Sequence, residues 1–485
     1  MNSPLAVVAL VGRMTVLFSL LMGVPLTFAL SEHDPAEGAF LTAIGLTAGA
    51  GLLLSLATRR FRRELQLRDG FILVSLTWLV LAAFAALPLM LAIPGLSFTD
   101  AYFEAMSGLT TTGATVLTGL DGLPLSVNVW RCFLVLVGGL GIIVLAVAVL
   151  PLLGVGGAQL FKAESAGPMK DAKLTPRIAE TARGLWGVYF GLAVLCFLAY
   201  GAAGMSWADA FMHMCATMGL GGFSSHDASF GHWNSASIEA VAVVFMLLAG
   251  VSMALYFVAW RQRSLRVLWS NVEARAYVLC LLATTVVISV YVWQRGVYDD
   301  YLVALRHTVF HVVSIGTTTG FASQDFALWP AFAPLLMLLV GCFATCAGST
   351  GGGIKMVRML LLLKQSQREL VRIVHPSVVN PVVLGGQAVS PRIMQSVIAF
   401  MMMYGATLVV LTMLLLFSGL DPVTAFTAVI ACVNNIGPGL GDVGPALNYQ
   451  GLSDFQTWVC TFGMLLGRLE LLSLLVVFTP QFWRG

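Results

Sequence analysis

Apolar runs of about 20 residues recur along the whole chain, and a helix of that length crosses a hydrocarbon core of roughly 30 Å. Ten such runs are read, over about 9–30, 38–57, 71–93, 129–150, 184–204, 236–259, 276–294, 329–363, 392–417 and 452–478. Only 10% of the 485 residues are charged, where soluble domains carry roughly a quarter. Lipid is therefore the solvent for most of the chain. An all-α polytopic fold is expected, because a helix satisfies its own backbone where water cannot. The first run holds Arg13 and Pro25 and lacks a clear small-x-small cleavage site, so it reads as a span and not a leader. Eight scattered cysteines form no CxxC pair, and no His-rich spacing suggests zinc.

Basic residues set orientation through the short loops. Arg59, Arg60, Arg62, Arg63 and Arg68 follow the second run, and Lys162, Lys170, Lys173, Arg177 and Arg183 follow the fourth. Arg261, Arg263, Arg266 and Arg275 follow the sixth, and Lys355, Arg358, Lys364, Arg368, Arg372 and Arg392 surround the end of the eighth. The alternate loops are acidic, with Asp34, Asp100, Asp121, Asp227, Asp299, Asp300, Asp325, Asp442 and Asp454 among others. The basic loops, and with them both termini, are expected on the cytoplasmic side. An acidic outer face also raises the local concentration of cations at a pore mouth.

A weak repeat appears when the outer loops are aligned on one glycine each. The copies read Ser107-Gly108-Leu109-Thr110-Thr111-Thr112-Gly113-Ala114-Thr115, Thr217-Met218-Gly219-Leu220-Gly221-Gly222-Phe223-Ser224, Ser314-Ile315-Gly316-Thr317-Thr318-Thr319-Gly320-Phe321-Ala322 and Val433-Asn434-Asn435-Ile436-Gly437-Pro438-Gly439. The key glycines lie 109, 98 and 117 residues apart. Thirteen residues before the glycine stand Asp100, Asp209 and Thr424, which suit helix N-caps, with His307 breaking the pattern. An apolar stretch of about ten residues follows each cap, too short to span a bilayer. Each copy thus reads as span, re-entrant half-helix, extended loop, span. All four begin and end on a basic loop, so they share one orientation and can surround an axis along the membrane normal. The expected units are 1–68, a two-helix extension, then repeats over 69–180, 181–272, 273–390 and 391–485.

A cation crossing lipid must exchange its hydration shell for oxygen ligands, and backbone carbonyls supply these without a trapping charge. Glycine permits positive φ and threonine adds hydroxyl oxygens. The C-terminal end of each half-helix, partly negative, favours a cation in front of it. Between cap and glycine only Glu104 is acidic, so a carboxylate ring for a divalent ion is not expected. Potassium, sodium, rubidium and ammonium remain open at this point. Glu104, His213 and His311 each precede their glycine by nine residues, which places them on the half-helices as supports behind the loops.

Thr-Thr-Thr-Gly-Ala-Thr, Gly-Leu-Gly-Gly-Phe-Ser, Thr-Thr-Thr-Gly-Phe-Ala and Asn-Asn-Ile-Gly-Pro-Gly-Leu-Gly resemble the filters of TrkH-type potassium transporters, within the Trk/Ktr/HKT superfamily. The resemblance covers nearly the whole chain and includes Cys346-Ala347-Gly348-Ser349-Thr350-Gly351-Gly352-Gly353-Ile354-Lys355 and Gly467-Arg468-Leu469-Glu470. It implies potassium held by carbonyls of Thr111, Thr112, Leu220, Gly221, Thr318, Thr319, Asn435 and Ile436, with Gly113, Gly222, Gly320 and Gly437 shaping the filter. In plant relatives a serine at the first filter glycine accompanies sodium transport, so Gly113 favours potassium, with rubidium passing and sodium more weakly. The resemblance further implies a bacterial inner-membrane location, a homodimer and a separate cytosolic ring of nucleotide-binding regulatory subunits. No covalent cofactor, nucleic acid or catalytic chemistry is expected.

The eighth run breaks at Ala347 to Gly353, where Gly348, Gly351, Gly352 and Gly353 would unwind a helix in mid-membrane. The family similarity assigns this stretch and Lys355 to a gate below the filter. Arg468 sits near the centre of the tenth run, where a charge costs roughly 2.5–3.5 kcal/mol and needs an interior partner. The resemblance places it toward the pore, repelling ions or holding the gate loop by its carbonyls; Glu470 is the structural alternative. Gly348 to Lys355 fails as a phosphate loop, because Ile354 intervenes and Met356 replaces the Ser or Thr. Two competing functions remain at this stage: a symporter coupled to protons or sodium, and the channel-like subunit of a potassium-pumping ATPase. An intramembrane enzyme is disfavoured, as no His-Glu-x-x-His or Gly-x-Ser-x-Gly signature is present.

Overall fold

Helices account for almost all of the secondary structure in the computed structural model, which describes residues 5–61, 66–148 and 174–483. Among these the only strands are a two-residue pair, Val383–Leu384 with Gln387–Ala388. Six helical segments are long and apolar enough to cross a membrane: Leu5–Glu32, Glu37–Ala57, Arg68–Ala92, Ala182–Ala202, Val272–Gln294 and Pro391–Phe417. The all-α polytopic expectation therefore holds. Arg62, Arg63, Lys162, Lys170 and Lys173, on which part of the orientation argument rests, lie outside the described residues, as does the side chain of Arg177.

The burial pattern is that of a protein solvated by lipid. Leu17, Leu20, Leu52, Leu53 and Leu56 project outward from the first two spans. The four short helices, Phe98–Leu109, Trp207–Gly219, Tyr301–Gly316 and Pro422–Val433, are instead the buried centre. Every residue from Ala101 to Leu109 is buried. A helix of 12 residues rises only about 18 Å, so it enters the membrane without crossing it.

Their N-terminal caps lie three residues earlier than the sequence suggested. Ser97 and Ser206 accept the amides of Asp100 and Asp209, each at 3.1 Å, and Asp421 accepts those of Val423 and Thr424. The aspartates in register with the glycine sit in the first turn, where a negative charge complements the helix dipole. The third half-helix begins a turn earlier on Asp300, which is why His307 looked out of place.

Two runs read as continuous are broken. Ala236–Ala249 and Met253–Gln262 meet at 85°, and Asp454–Arg468 and Leu472–Phe478 meet at 106°. The eighth run is interrupted as expected, between Phe332–Gly341 and the helix Met356–Val374. Helix breaks inside a membrane need other partners for the freed backbone groups, and the break at Gly250–Ser252 and that of the eighth run supply one another. Cys346 donates its amide to Gly250 O at 3.0 Å, and Met253 donates to Gly348 O at 3.2 Å. Arg468 is consequently not mid-helix but the last residue of its helix, beside left-handed Glu470 and Leu471.

Candidate functional site

Each half-helix ends in the same turn. The amides of Thr111, Leu220, Thr318 and Asn435 donate to Gly108, Thr217, Ile315 and Cys432. The next amides, of Thr112, Gly221, Thr319 and Ile436, donate to Ser107, Ala216, Ser314 and Ala431 at 2.8–3.0 Å. This pair of bonds is the Schellman motif, which needs a left-handed residue just past the helix. Glycine usually takes that place, but here it falls to Thr111, Leu220, Thr318 and Asn435, with φ of 54°, 56°, 61° and 54°. Sequence reasoning gave the positive φ to the four key glycines. Gly113, Gly320 and Gly437 have it, whereas Gly222 does not.

The key glycines lock the loops into a closed ring. A Cβ on Gly113 would strike Gly222 N, and one on Gly222 would lie 2.6 Å from Thr319 O. One on Gly320 would strike Ile436 O, and one on Gly437 would come within 2.7 Å of Thr112 O. The order runs first, second, third, fourth and back to the first, with no room for a side chain at any junction. On the side of the strands that follow the glycines the ring opens to a vestibule that all four glycines line. His226 and Asp227 stand at its rim. A hydrogen bond from His226 is the main cause holding the Asp121 carboxyl there below its ordinary pKa.

The supports predicted at nine residues before the glycine each reach the strand that follows it. Glu104 accepts from Thr115 Oγ1 at 2.9 Å and from the Val116 amide at 3.0 Å. His213 Nδ1 faces Asp209 O and Nε2 faces Ser224 Oγ, both at 2.9 Å. His311 Nδ1 faces His307 O at 2.8 Å, so Nε2 is left to accept the Ser323 amide at 3.2 Å. In the fourth copy Thr427 does this job one residue earlier, bonding both amide and carbonyl of Leu440.

Sequence reasoning missed Arg131. Its Nε donates to Glu104 at 2.7 Å, its guanidinium also reaches Ser224 O, and it lies 4.5 Å from the Phe223 ring centre. One buried ion pair thus braces the first loop against the second. An arginine inside an apolar run was the signal, applied to Arg468 but not here. Removing one partner of a buried pair leaves an uncompensated charge, which costs about 3–5 kcal/mol. Arg131→Ala should therefore lower the thermal unfolding midpoint of the purified chain strongly, while Arg368→Ala, at an exposed pair with Glu369, should leave it unchanged.

Beneath the ring lies the segment from Phe343 to Lys355. Thr345 Oγ1 donates to Gly352 O at 2.7 Å, the Gly352 amide donates to Thr318 Oγ1 at 2.8 Å, and Thr350 Oγ1 donates to Met218 O at 3.0 Å. A Cβ on Gly351 would meet Thr317 O at 3.1 Å, and one on Gly352 would strike Asn434 O. The segment is therefore pressed on the inner ends of three half-helices. Lys355 Nζ bonds Gly351 O, and Gly348 and Gly353, with φ of 77° and 81°, help form the turn. Arg468 bonds Thr350 O at 2.8 Å and Gly138 O at 2.9 Å. Glu470 pairs with Arg358 at 2.5 Å and not with Arg468. Glu273, also missed, accepts the amides of Ala347 at 2.7 Å and Val357 at 3.1 Å, clasping both ends of the segment.

Comparison with known proteins agrees with this architecture. Residues 38–484 match TrkH, described as a cation transport protein. The chain is 46% identical over 479 residues to the Trk system potassium uptake protein TrkH of Halomonas elongata, covering 99% of each. It is 44% identical over 480 residues to the protein of that name from Escherichia coli K12, again over 99% of each. The crystal structure of the potassium transporter TrkH from Vibrio parahaemolyticus superposes with a TM-score of 0.92 at 41% identity, covering 99% of both chains. The chain is a multi-pass membrane protein that belongs to the TrkH family of cation transport proteins, which are transporters and not enzymes.

Proposed function

We propose that this chain takes up potassium through a gated, channel-like pore whose selectivity filter is the ring of four glycine loops. The closed cyclic order of Gly113, Gly222, Gly320 and Gly437 carries the reading. Loops held edge to edge by backbone, with supports behind them, can keep carbonyl oxygens at a fixed spacing around a dehydrated ion. Thr111 Oγ1 and Asn435 Oδ1 are buried with no hydrogen-bond partner, as oxygens offered to a passing cation would be. The carbonyls of Thr111, Thr112, Leu220, Gly221, Thr318, Thr319, Asn435 and Ile436 are the proposed ligands, and Glu104, His213 and His311 hold the strands that carry them. Potassium as the cargo is supported by Gly113 and by the names of the relatives; rubidium replacing it and sodium passing more weakly belong to the same proposal.

The Phe343–Lys355 segment, with Gly348, Gly351, Gly352, Gly353 and Lys355, is the proposed gate, and Arg468 its tether. Its bond to Thr318 Oγ1 takes up a hydroxyl that the ion would otherwise meet. The division at 68, 180, 272 and 390 into an extension and four repeats belongs to the same reading, as do an inner-membrane location with cytoplasmic termini, a homodimer and a nucleotide-binding regulatory subunit. Exposed Arg261, Arg263 and Arg266 stand at and just past the C-terminal end of the helix Met253–Gln262, whose first amide, that of Met253, bonds the gate loop at Gly348 O. That helix is a direct mechanical route from a docked regulator.

Liposomes containing the purified chain, with an imposed voltage as the only driving force, test the reading. Rubidium should enter faster than sodium. Flux that requires a proton or sodium gradient would instead establish a coupled symporter.

A further inference from the structure

The outer rim of the vestibule holds a side-chain cluster that the transport reading does not use. Asp121, in the loop after the first ring strand, and His226 and His232, after the second, bring one donor atom each within 4.8 Å of one another. His226 Nδ1 hydrogen-bonds Asp121 Oδ1, and its Nε2 lies 3.4 Å from Asp209 Oδ1. The His226 and His232 rings stack 3.6 Å apart, 8° from parallel, and Trp233 packs edge-on against both. His226 lines the vestibule itself.

We propose that Asp121, His226 and His232 form a binding site for a divalent transition ion of the zinc type at the outer mouth, and that the bound ion slows cation entry. Two imidazoles and one carboxylate are the donor set of borderline metals, while calcium and magnesium prefer all-oxygen shells. An ion would enter between Asp121 Oδ1 and His226 Nδ1, replacing the proton they share, with zinc-to-nitrogen distances of about 2.0–2.1 Å. Parallel rings cannot both aim a lone pair at one ion. His232 must therefore tilt, and it is exposed and ends the short turn Ser229–His232. Water completes the coordination.

Sequence spacing gave no sign of this site because Asp121 and His226 are 105 residues apart. Binding also reaches the ring, since the His226 amide donates to Ser224 Oγ at 3.1 Å, the hydroxyl that His213 holds. A divalent charge at the rim repels monovalent cations approaching the vestibule.

The slowing of entry rests on the proposed pathway; the binding does not. Calorimetric titration of the tag-free chain with zinc chloride should show one ion per chain, weakened at least tenfold in His232→Ala and in Asp121→Asn. Both positions are exposed and their replacement should not disturb folding. External zinc should inhibit rubidium entry into liposomes over the same concentration range, with the same loss in the variants. No saturable binding, or equal binding by wild type and both variants, overturns the site. Binding without inhibition of a measurable rubidium flux overturns the block. Zinc binding by a chain that carries no flux would count against the pathway and leave the site standing.

Discussion

Arg468→Ala should raise voltage-driven rubidium flux by about 10- to 150-fold. The guanidinium holds the proposed gate segment through Thr350 O at 2.8 Å and is itself steadied by Gly138 O. A hydrogen bond from a charged donor contributes about 1.5–3 kcal/mol, and each 1.4 kcal/mol is about a factor of ten in an equilibrium. Losing the Thr350 bond alone moves the loop toward release by that amount. Arg468→Lys separates the two roles the arginine could have. It keeps the positive charge but not the forked donor set that spans two carbonyls. A tether predicts intermediate flux in the lysine variant, whereas a purely electrostatic barrier predicts wild-type flux. Wild-type flux in both variants, with unchanged unfolding midpoints, would remove Arg468 from the gate.

Gly113→Ser should lower the rubidium-to-sodium flux ratio about tenfold, a loss of about 1.4 kcal/mol of discrimination. Its Cβ would strike Gly222 N, so the first and second loops must part and the ring loses its fixed bore. Positive φ adds strain, at 77°. Gly119→Ser is the matched control: φ is 67°, and nothing lies within 4 Å of its Cβ. It carries the backbone strain without touching the ring, so its flux ratio should stay at the wild-type value. Equal effects of the two substitutions would mean that strain, and not ring closure, governs selectivity.

How much of this was legible in the sequence depended on the range of the interaction. Spans and half-helices follow from local hydropathy and length, and Ala347 to Gly353 announced a break by composition alone. The loop register followed from one glycine, because each copy repeats the same local turn. The breaks at Gly250–Ser252 and Leu469–Leu471 were not legible, since the groups beside them find partners far along the chain: Gly250 O and the Met253 amide at Cys346 and Gly348, and Arg468 and Glu470 at Thr350 O and Arg358. Leu220 in a left-handed conformation was equally hidden: its own preference is against it, and the Schellman bonds override that preference. Arg131 and Glu273 were readable in principle as charges near apolar runs, but their partners, Glu104 and the gate-loop amides, are visible only in three dimensions.

The ring of loops is written in one polypeptide. A change in a fourfold assembly of identical subunits appears in every quadrant at once, whereas here it appears in one. That explains how Thr-Thr-Gly, Leu-Gly-Gly and Asn-Ile-Gly can stand side by side on a common backbone turn. Each quadrant is free to acquire its own duty: the third gives up the Thr318 hydroxyl to the Phe343–Lys355 segment, and the second carries the stacked pair His226 and His232. If the ring is the proposed filter, its ion preference can drift by quarter-steps, each small enough to leave three quadrants unchanged.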